Sequence, residues 1–190
     1  HNHYDHMDAW TMENLPDSVT WYVPMGLAGW FRDRGRRVVA LNWWQSARHG
    51  RWKLTCLPAQ HWSNRIGMGA NSTLWCSWLI ESERRKFFFA GDSGYYHGFA
   101  EYGRKFGPID AAMLPIGAYD RNWPHVHLNP EEAVEAHGLL NGGLFLPIHW
   151  GTFRLAFHPW WEPVERLLAY AHTRDTRIVV PRPGAVVGLE

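Results

Sequence analysis

The chain has 190 residues, enough for one domain with a substantial core and too few for two comfortable ones. Its formal net charge of +1 supplies no long-range pull on a polyanion, so no nucleic-acid partner is expected. No apolar run is long enough to span a bilayer, and Cys56 and Cys76, the only cysteines, sit in apolar segments where buried free thiols are expected rather than a disulfide framework.

In chain order, Ala9 to Leu15 suits a short helix closed by Pro16. Val19 to Val23, rich in β-branched and aromatic residues, reads as a buried strand. Gly26 to Arg34 places Leu27, Trp30 and Phe31 at helical spacing before Gly35, and Val38 to Leu41 is a further strand. Trp52 to Leu57, Thr73 to Ile80 and Lys86 to Ala90 read as strands, the last two forming a hairpin across a charged turn. Gly98 to Phe106 is a helix, Asp110 to Ile116 a strand, and 117–129 a loop. Asn129-Pro130-Glu131-Glu132 then carries a cap, a first-turn proline and acids at the positive end of the dipole, which predicts a helix to about Leu140. Gly143 to Ile148 is a strand and Trp161 to His172 a helix, and the strands Arg177 to Val180 and Ala185 to Leu189 close the chain. Alternating helices and strands without repeat or linker predict one α/β domain over residues 1–190. The 13 tryptophans are scattered and mostly read as core. The basic clusters Arg34, Arg36, Arg37 and Arg84-Arg85-Lys86 read as solvated turns.

The densest chemistry is at the start. His1-Asn2-His3-Tyr4-Asp5-His6 packs three imidazoles and a carboxylate into six positions. In extended chain His1 and His3 share a face, while Asp5 and His6 bend away toward a second centre. A hydrolytic zinc takes three protein ligands and leaves a position open, so the stretch reads as half of each of two neighbouring sites. The other halves are sought at strand ends, where loops present side chains from a rigid support. His61 follows Leu57-Pro58-Ala59-Gln60, Asp92 lies in Gly91-Asp92-Ser93-Gly94, and His149 follows Leu146-Pro147-Ile148. The chain opens on this motif rather than on an initiator Met, with no leader in view, as a piece of a longer protein would.

His-x-His-x-Asp-His, a lone His, Gly-Asp-Ser-Gly and a strand-end His together resemble the metallo-β-lactamase-fold hydrolases. Within them the chain is most similar to the N-acylphosphatidylethanolamine-hydrolysing phospholipase D group. The phrases that carry this include Trp21 to Leu27, Gln60-His61-Trp62, Phe87 to Asp92, Phe106-Gly107-Pro108, Pro115 to Tyr119, Asn129 to Val134 and Ile148 to Phe153, and the likeness extends to about residue 170.

The resemblance implies an αββα four-layer sandwich without the strands that precede His1 in that family. It implies two zinc ions per chain, one held by His1, His3 and His61 and the other by Asp5, His6 and His149, with Asp92 bridging. It places His127 near the substrate phosphate, to protonate the leaving alkoxide or stabilise developing charge, with His125 as a neighbouring rival. Tyr119 and the turn from Trp150 to Phe153 are candidates for the pocket mouth, and the remaining histidines are expected on the surface or on helices. The implied substrate is a phospholipid or another small phosphodiester, met in the cytoplasm or at the periphery of a membrane. A lactone, as in the ascorbate-6-phosphate lactonase group, is the second reading. A nuclease and a metal-binding remnant without turnover follow.

Overall fold

β-Branched and aromatic residues favour pleated chain, and the stretches Thr20–Pro24 (β1) and Arg37–Leu41 (β2) form a two-stranded parallel sheet with Val23 opposite Ala40. The computed structural model describes residues 1–189. Ahead of β1 lies helix α1, Ala9–Asn14, capped by the Asp8 side chain, which accepts from the Thr11 amide. Between the strands lies α2, Ala28–Arg32. Met7, Met12, Val23, Leu27 and Phe31 pack together where these helices cover the sheet.

The larger sheet has six strands side by side in chain order: β3 (Ser46–His49), β4 (Trp52–Leu57), β5 (Ser77–Glu81), β6 (Lys86–Phe89), β7 (Ile109–Pro115) and β8 (Gly142–Ile148). Neighbours from β3 to β6 are antiparallel, whereas β6–β7 and β7–β8 are parallel. Parallel neighbours need a crossover, supplied by α3 (Gly98–Phe106) and α4 (Pro130–Leu139). With α5 (Glu162–His172) these helices bury the main core, in which Phe88, Phe99, Tyr102, Leu114, Phe145 and Leu167 meet. The opposite face meets the small sheet through Leu41, Cys56 and Cys76, both cysteines being free and buried. The order is helix, sheet, sheet, helix, the expected four layers, with two strands in the first sheet among the described residues.

Strand direction positions the site. β4 runs antiparallel to β5 and β5 to β6, so β4 and β6 point the same way, and β7 and β8 follow β6. The C-terminal ends of β4, β6, β7 and β8 therefore share one edge, the usual place for ligands in open α/β sheets.

Several expectations are corrected. The strand expected from Thr73 begins at Ser77, because Thr73 to Cys76 runs irregularly, with the Leu74 amide bonded to the Met25 carbonyl. The edge strand β3 was not anticipated from its polar sequence, and pairing with β4 makes it. Neither terminal strand forms. Ile178 makes one isolated bridge to Phe145, and Pro181 and Pro183 remove the donors a longer ladder would need. His137 lies on α4, within the expectation of surface or helix, and is buried, stacked on Phe145 at 5.3 Å. No helix among the described residues is long and apolar enough to cross a membrane.

Candidate metal centre

The opening motif folds as a turn rather than extended chain, with the His6 and Met7 amides both donating to the His3 carbonyl. Asn2 is buried and Tyr4 points outward. Arg65 clamps the turn, its Nη1 donating to the carbonyls of Asn2 at 3.2 Å and Met7 at 2.8 Å, with its guanidinium 4.1 Å from the Tyr4 ring. His1 and His3 still face the same way, and His1 Nε2 comes 2.7 Å from His3 Nδ1.

Each remaining candidate stands where the shared strand edge puts it. Beyond β4, the Pro58 carbonyl accepts from both Tyr96 and Tyr102 hydroxyls, at 2.6 and 2.8 Å. His61 Nδ1 bonds the Val126 carbonyl at 2.9 Å; a carbonyl only accepts, so the proton is on Nδ1 and Nε2 is left bare. Beyond β6, Gly91 has φ 61°, and a Cβ there would lie 2.9 Å from the Cys76 carbonyl oxygen, so glycine is required before Asp92. His149 follows β8 at φ 57°.

Asp92 occupies the centre. Its Oδ2 lies 3.0 Å from His6 Nε2, 3.8 Å from His1 Nε2 and 3.7 Å from His61 Nε2. Its Oδ1 lies 3.2 Å from His149 Nε2, which is also 3.2 Å from Asp5 Oδ2 and from His6 Nε2. Donor atoms within 4.8 Å of one another form three groups: His1, His3, His61; Asp5, His6, Asp92, His149; and His61, Asp92, His127. The structure thus brings together all seven residues singled out as ligands and adds His127 beside them. The rings of His61 and His149 lie 5.2 and 5.5 Å from that of His127, whereas His125 is exposed and offers its backbone carbonyl to Gln60.

The electrostatics agree with a cation site. Burial pushes the Asp92 carboxyl up, but the hydrogen bond and the positive charge of His6 act against it, and the carboxyl stays below the ordinary range. Asp5 behaves alike, its burial outweighed by bonds from His149 and His6. Burial pushes His6 down, but its bonds to Asp5 and Asp92 raise it to about 9. Burial lowers His61 to about 3 and His127 to about 4, so both rings are neutral at pH 7. Two ionised carboxylates therefore stand beside the neutral rings of His61 and His127. Moreover, His3 Nε2, His61 Nε2, His127 Nδ1 and Asp92 Oδ1 are buried without hydrogen-bond partners. A buried orphan of this kind costs about 1–3 kcal/mol, and coordination removes that cost. Five imidazoles and two carboxylates fit a divalent cation of borderline softness such as zinc.

A cavity of about 850 Å³ opens from Asp5 and His149 along residues 150–161, so Trp150 stands in its wall. Phe153, Phe157 and Trp160 on that wall are exposed. Beside that wall the Tyr119 hydroxyl donates to Glu162 at 2.6 Å, and its ring lies between His158 and the Arg166 guanidinium. Both uses tie it to the fold behind the wall. Sequence reasoning missed Arg65 and His158, and no local pattern announces either, whereas Gly94 stands in the Gly91-Asp92-Ser93-Gly94 turn already singled out.

Four layers with a His/Asp metal cluster at the strand ends define the metallo-β-lactamase fold. The chain belongs to the beta-lactamase superfamily, since the model described as a beta-lactamase superfamily domain matches residues 1–150. An uncharacterized protein of Mycobacterium bovis is 44% identical over 97% of this chain and 51% of its own length. N-acyl-phosphatidylethanolamine-hydrolyzing phospholipase D 1 of Caenorhabditis elegans is 37% identical over 92% of this chain and 54% of its own. The chain thus spans about half the length of these curated relatives. Igni18, a metallo hydrolase from Ignicoccus hospitalis, superposes with a TM-score of 0.75 at 21% identity over 98% of this chain and 76% of its own, a likeness of fold.

Proposed function

We propose that the chain is the metal-bearing part of a dizinc phosphodiesterase that hydrolyses N-acylphosphatidylethanolamine to N-acylethanolamine and phosphatidate. The observation that carries this reading is the convergence of His1, His3, Asp5, His6, His61 and His149 around Asp92. The 37% identity to the phospholipase D of Caenorhabditis elegans supports the choice of substrate. His1, His3 and His61 would hold one ion, Asp5, His6 and His149 the other, and Asp92, whose carboxylate lies within 3.8 Å of His1 and His61 on one side and of His6 and His149 on the other, would serve both.

Bound there, zinc would supply Lewis acidity, making water a stronger nucleophile at neutral pH and offsetting phosphoryl charge. Water adds to phosphorus, the P–O bond to the N-acylethanolamine breaks, and the departing alkoxide takes up a proton. His61 is oriented by the Val126 carbonyl and Asp92 by the Gly91 turn, so neither has to reorganise during the reaction. His127, neutral and held beside both His61 and His149, would donate a hydrogen bond to developing oxyanion charge, or take up the proton that the attacking water releases and pass it to the alkoxide. The wall of residues 150–161 would receive an apolar part of the lipid, and exposed Phe153, Phe157 and Trp160 would meet the membrane surface that supplies it.

Zinc-loaded protein given N-acylphosphatidylethanolamine in mixed micelles should release N-acylethanolamine, followed by mass spectrometry. Elemental analysis should find close to two zinc ions per chain. Hydrolysis of a lactone with the phospholipid untouched would replace this reading.

A further inference from the structure

The wall of the cavity is a stretch without helix or strand, residues 150–161, and something must hold it against the site. Most of its side chains are exposed, including Phe153, Leu155 and Phe157. His158 is the exception in kind. Its Nε2 receives the backbone N–H of Ala118 at 3.0 Å, and its Nδ1 lies 3.0 Å from the Pro159 carbonyl oxygen. A backbone N–H only donates and a carbonyl only accepts, so this pair of bonds requires a neutral ring with its proton on Nδ1.

The point of attachment is strained. Ala118 has φ 63°, a left-handed conformation that a side chain disfavours. Next to it a Cβ on Gly117 would lie 2.3 Å from the His149 carbonyl oxygen, so the loop after β7 rests directly on the backbone of a candidate ligand. Tyr119 completes the joint: its ring stacks on His158 at 4.4 Å and 16°, and its hydroxyl is held by Glu162, which Arg166 bonds in turn.

We infer that His158 is a positioning residue, a latch that pins the cavity wall to the loop after β7 through Ala118 and so shapes the surface receiving the apolar part of a substrate. This rests on the phosphodiesterase reading for the identity of that substrate, although the latch itself does not. Without it the 150–161 segment is free to move away from Ala118, and the affinity for an apolar chain falls while the donor cluster at Asp92 is untouched.

The test compares His158→Ala with His158→Gln, whose side-chain oxygen can still accept from Ala118, in zinc-loaded protein. In the alanine variant, hydrogen exchange at the Ala118 amide should speed about tenfold, the scale of one lost hydrogen bond. The KM for decyl p-nitrophenyl phosphate should rise roughly tenfold with kcat retained, and the KM for methyl p-nitrophenyl phosphate should rise less. Binding of the apolar dye anilinonaphthalene sulfonate should weaken in parallel, and the glutamine variant should recover most of each change. Unaltered exchange at Ala118 in His158→Ala would overturn the latch. Equal KM increases for both diesters would overturn its role in shaping the apolar wall. If the unaltered protein hydrolyses neither diester, the phosphodiesterase reading fails, while amide exchange and dye binding still decide the latch.

Discussion

Gly94→Ala is the sharpest test of how the centre is assembled. A Cβ on Gly94 would lie 2.0 Å from the His125 carbonyl oxygen, 2.4 Å from its carbon and 3.0 Å from the Val126 nitrogen. All three are backbone atoms, so no rotamer change relieves the clash. Ordinary contact begins at 3.4 Å, and residues 125–127 would have to retreat by more than 1 Å. That segment carries the Val126 carbonyl that orients His61 at 2.9 Å, the His125 carbonyl that holds Gln60 at 2.7 Å, and His127 itself. Overpacking costs typically about 1–3 kcal/mol, and each lost hydrogen bond adds about 0.5–1.5 kcal/mol. A total near 2–4 kcal/mol corresponds to roughly 5–15 °C in melting temperature for a domain of this size. Loss of the outer partner of His61 should also weaken zinc binding about 10–100-fold. Thermal unfolding followed by circular dichroism and zinc titration with a competing chelator read both effects. Gly29→Ala is the control, since nothing lies within 4 Å of its added methyl in α2. If Gly94→Ala melted and bound zinc like the unaltered protein, close backbone approach would not be what positions this loop.

Asp92→Asn should leave the circular dichroism spectrum intact while zinc content and turnover collapse, because the amide loses the charge and swaps an acceptor oxygen for a donor; undiminished zinc content would make Asp92 a turn former only. His127→Ala should keep its zinc and lose turnover about 10²–10⁴-fold. An activated aryl phosphodiester, whose leaving group needs no proton, should suffer less than the phospholipid if His127 is the acid, and equally if it stabilises charge at phosphorus. His137, lowered to about 4 by burial, gives a dependence of stability on pH. Above its ordinary value near 6.5 both states are neutral and stability is full; as the pH falls from there the unfolded chain takes up the proton first, so stability drops, levelling off below about 4 after a loss of roughly 3 kcal/mol. Urea unfolding of the protein and of His137→Leu at pH 7 and pH 5 isolates this contribution, and equal slopes with pH in the two would refute it.

The amino-acid sequence by itself determined whatever is encoded within a few neighbouring residues. Asn129 and Glu132 form the reciprocal cap of α4, each side chain bonded to the other's backbone, because both groups lie within one turn of helix. The hairpin of β5 and β6 closes with Glu81 opposite Lys86 across the charged turn, as strand propensity and a short polar link require. The donor types of the centre were legible for the same reason, since imidazoles and carboxylates at strand ends have few other uses in such density. Only the tertiary structure decided how those donors meet. His6 and Asp92 are 86 positions apart and His61 and Val126 are 65, and no periodicity relates them. The parity of strand directions brings them to one edge, where Arg65, Gly94 and the paired tyrosines on Pro58 fix the loops. Tyr119 shows the same division: its place in the loop after β7 was legible, whereas the partner of its hydroxyl, Glu162, lies 43 positions away. The strands expected at Arg177 and Ala185 did not form for a related reason. A strand is completed by a partner's hydrogen bonds, and the chain supplies Ile178 with a single bridge, to Phe145.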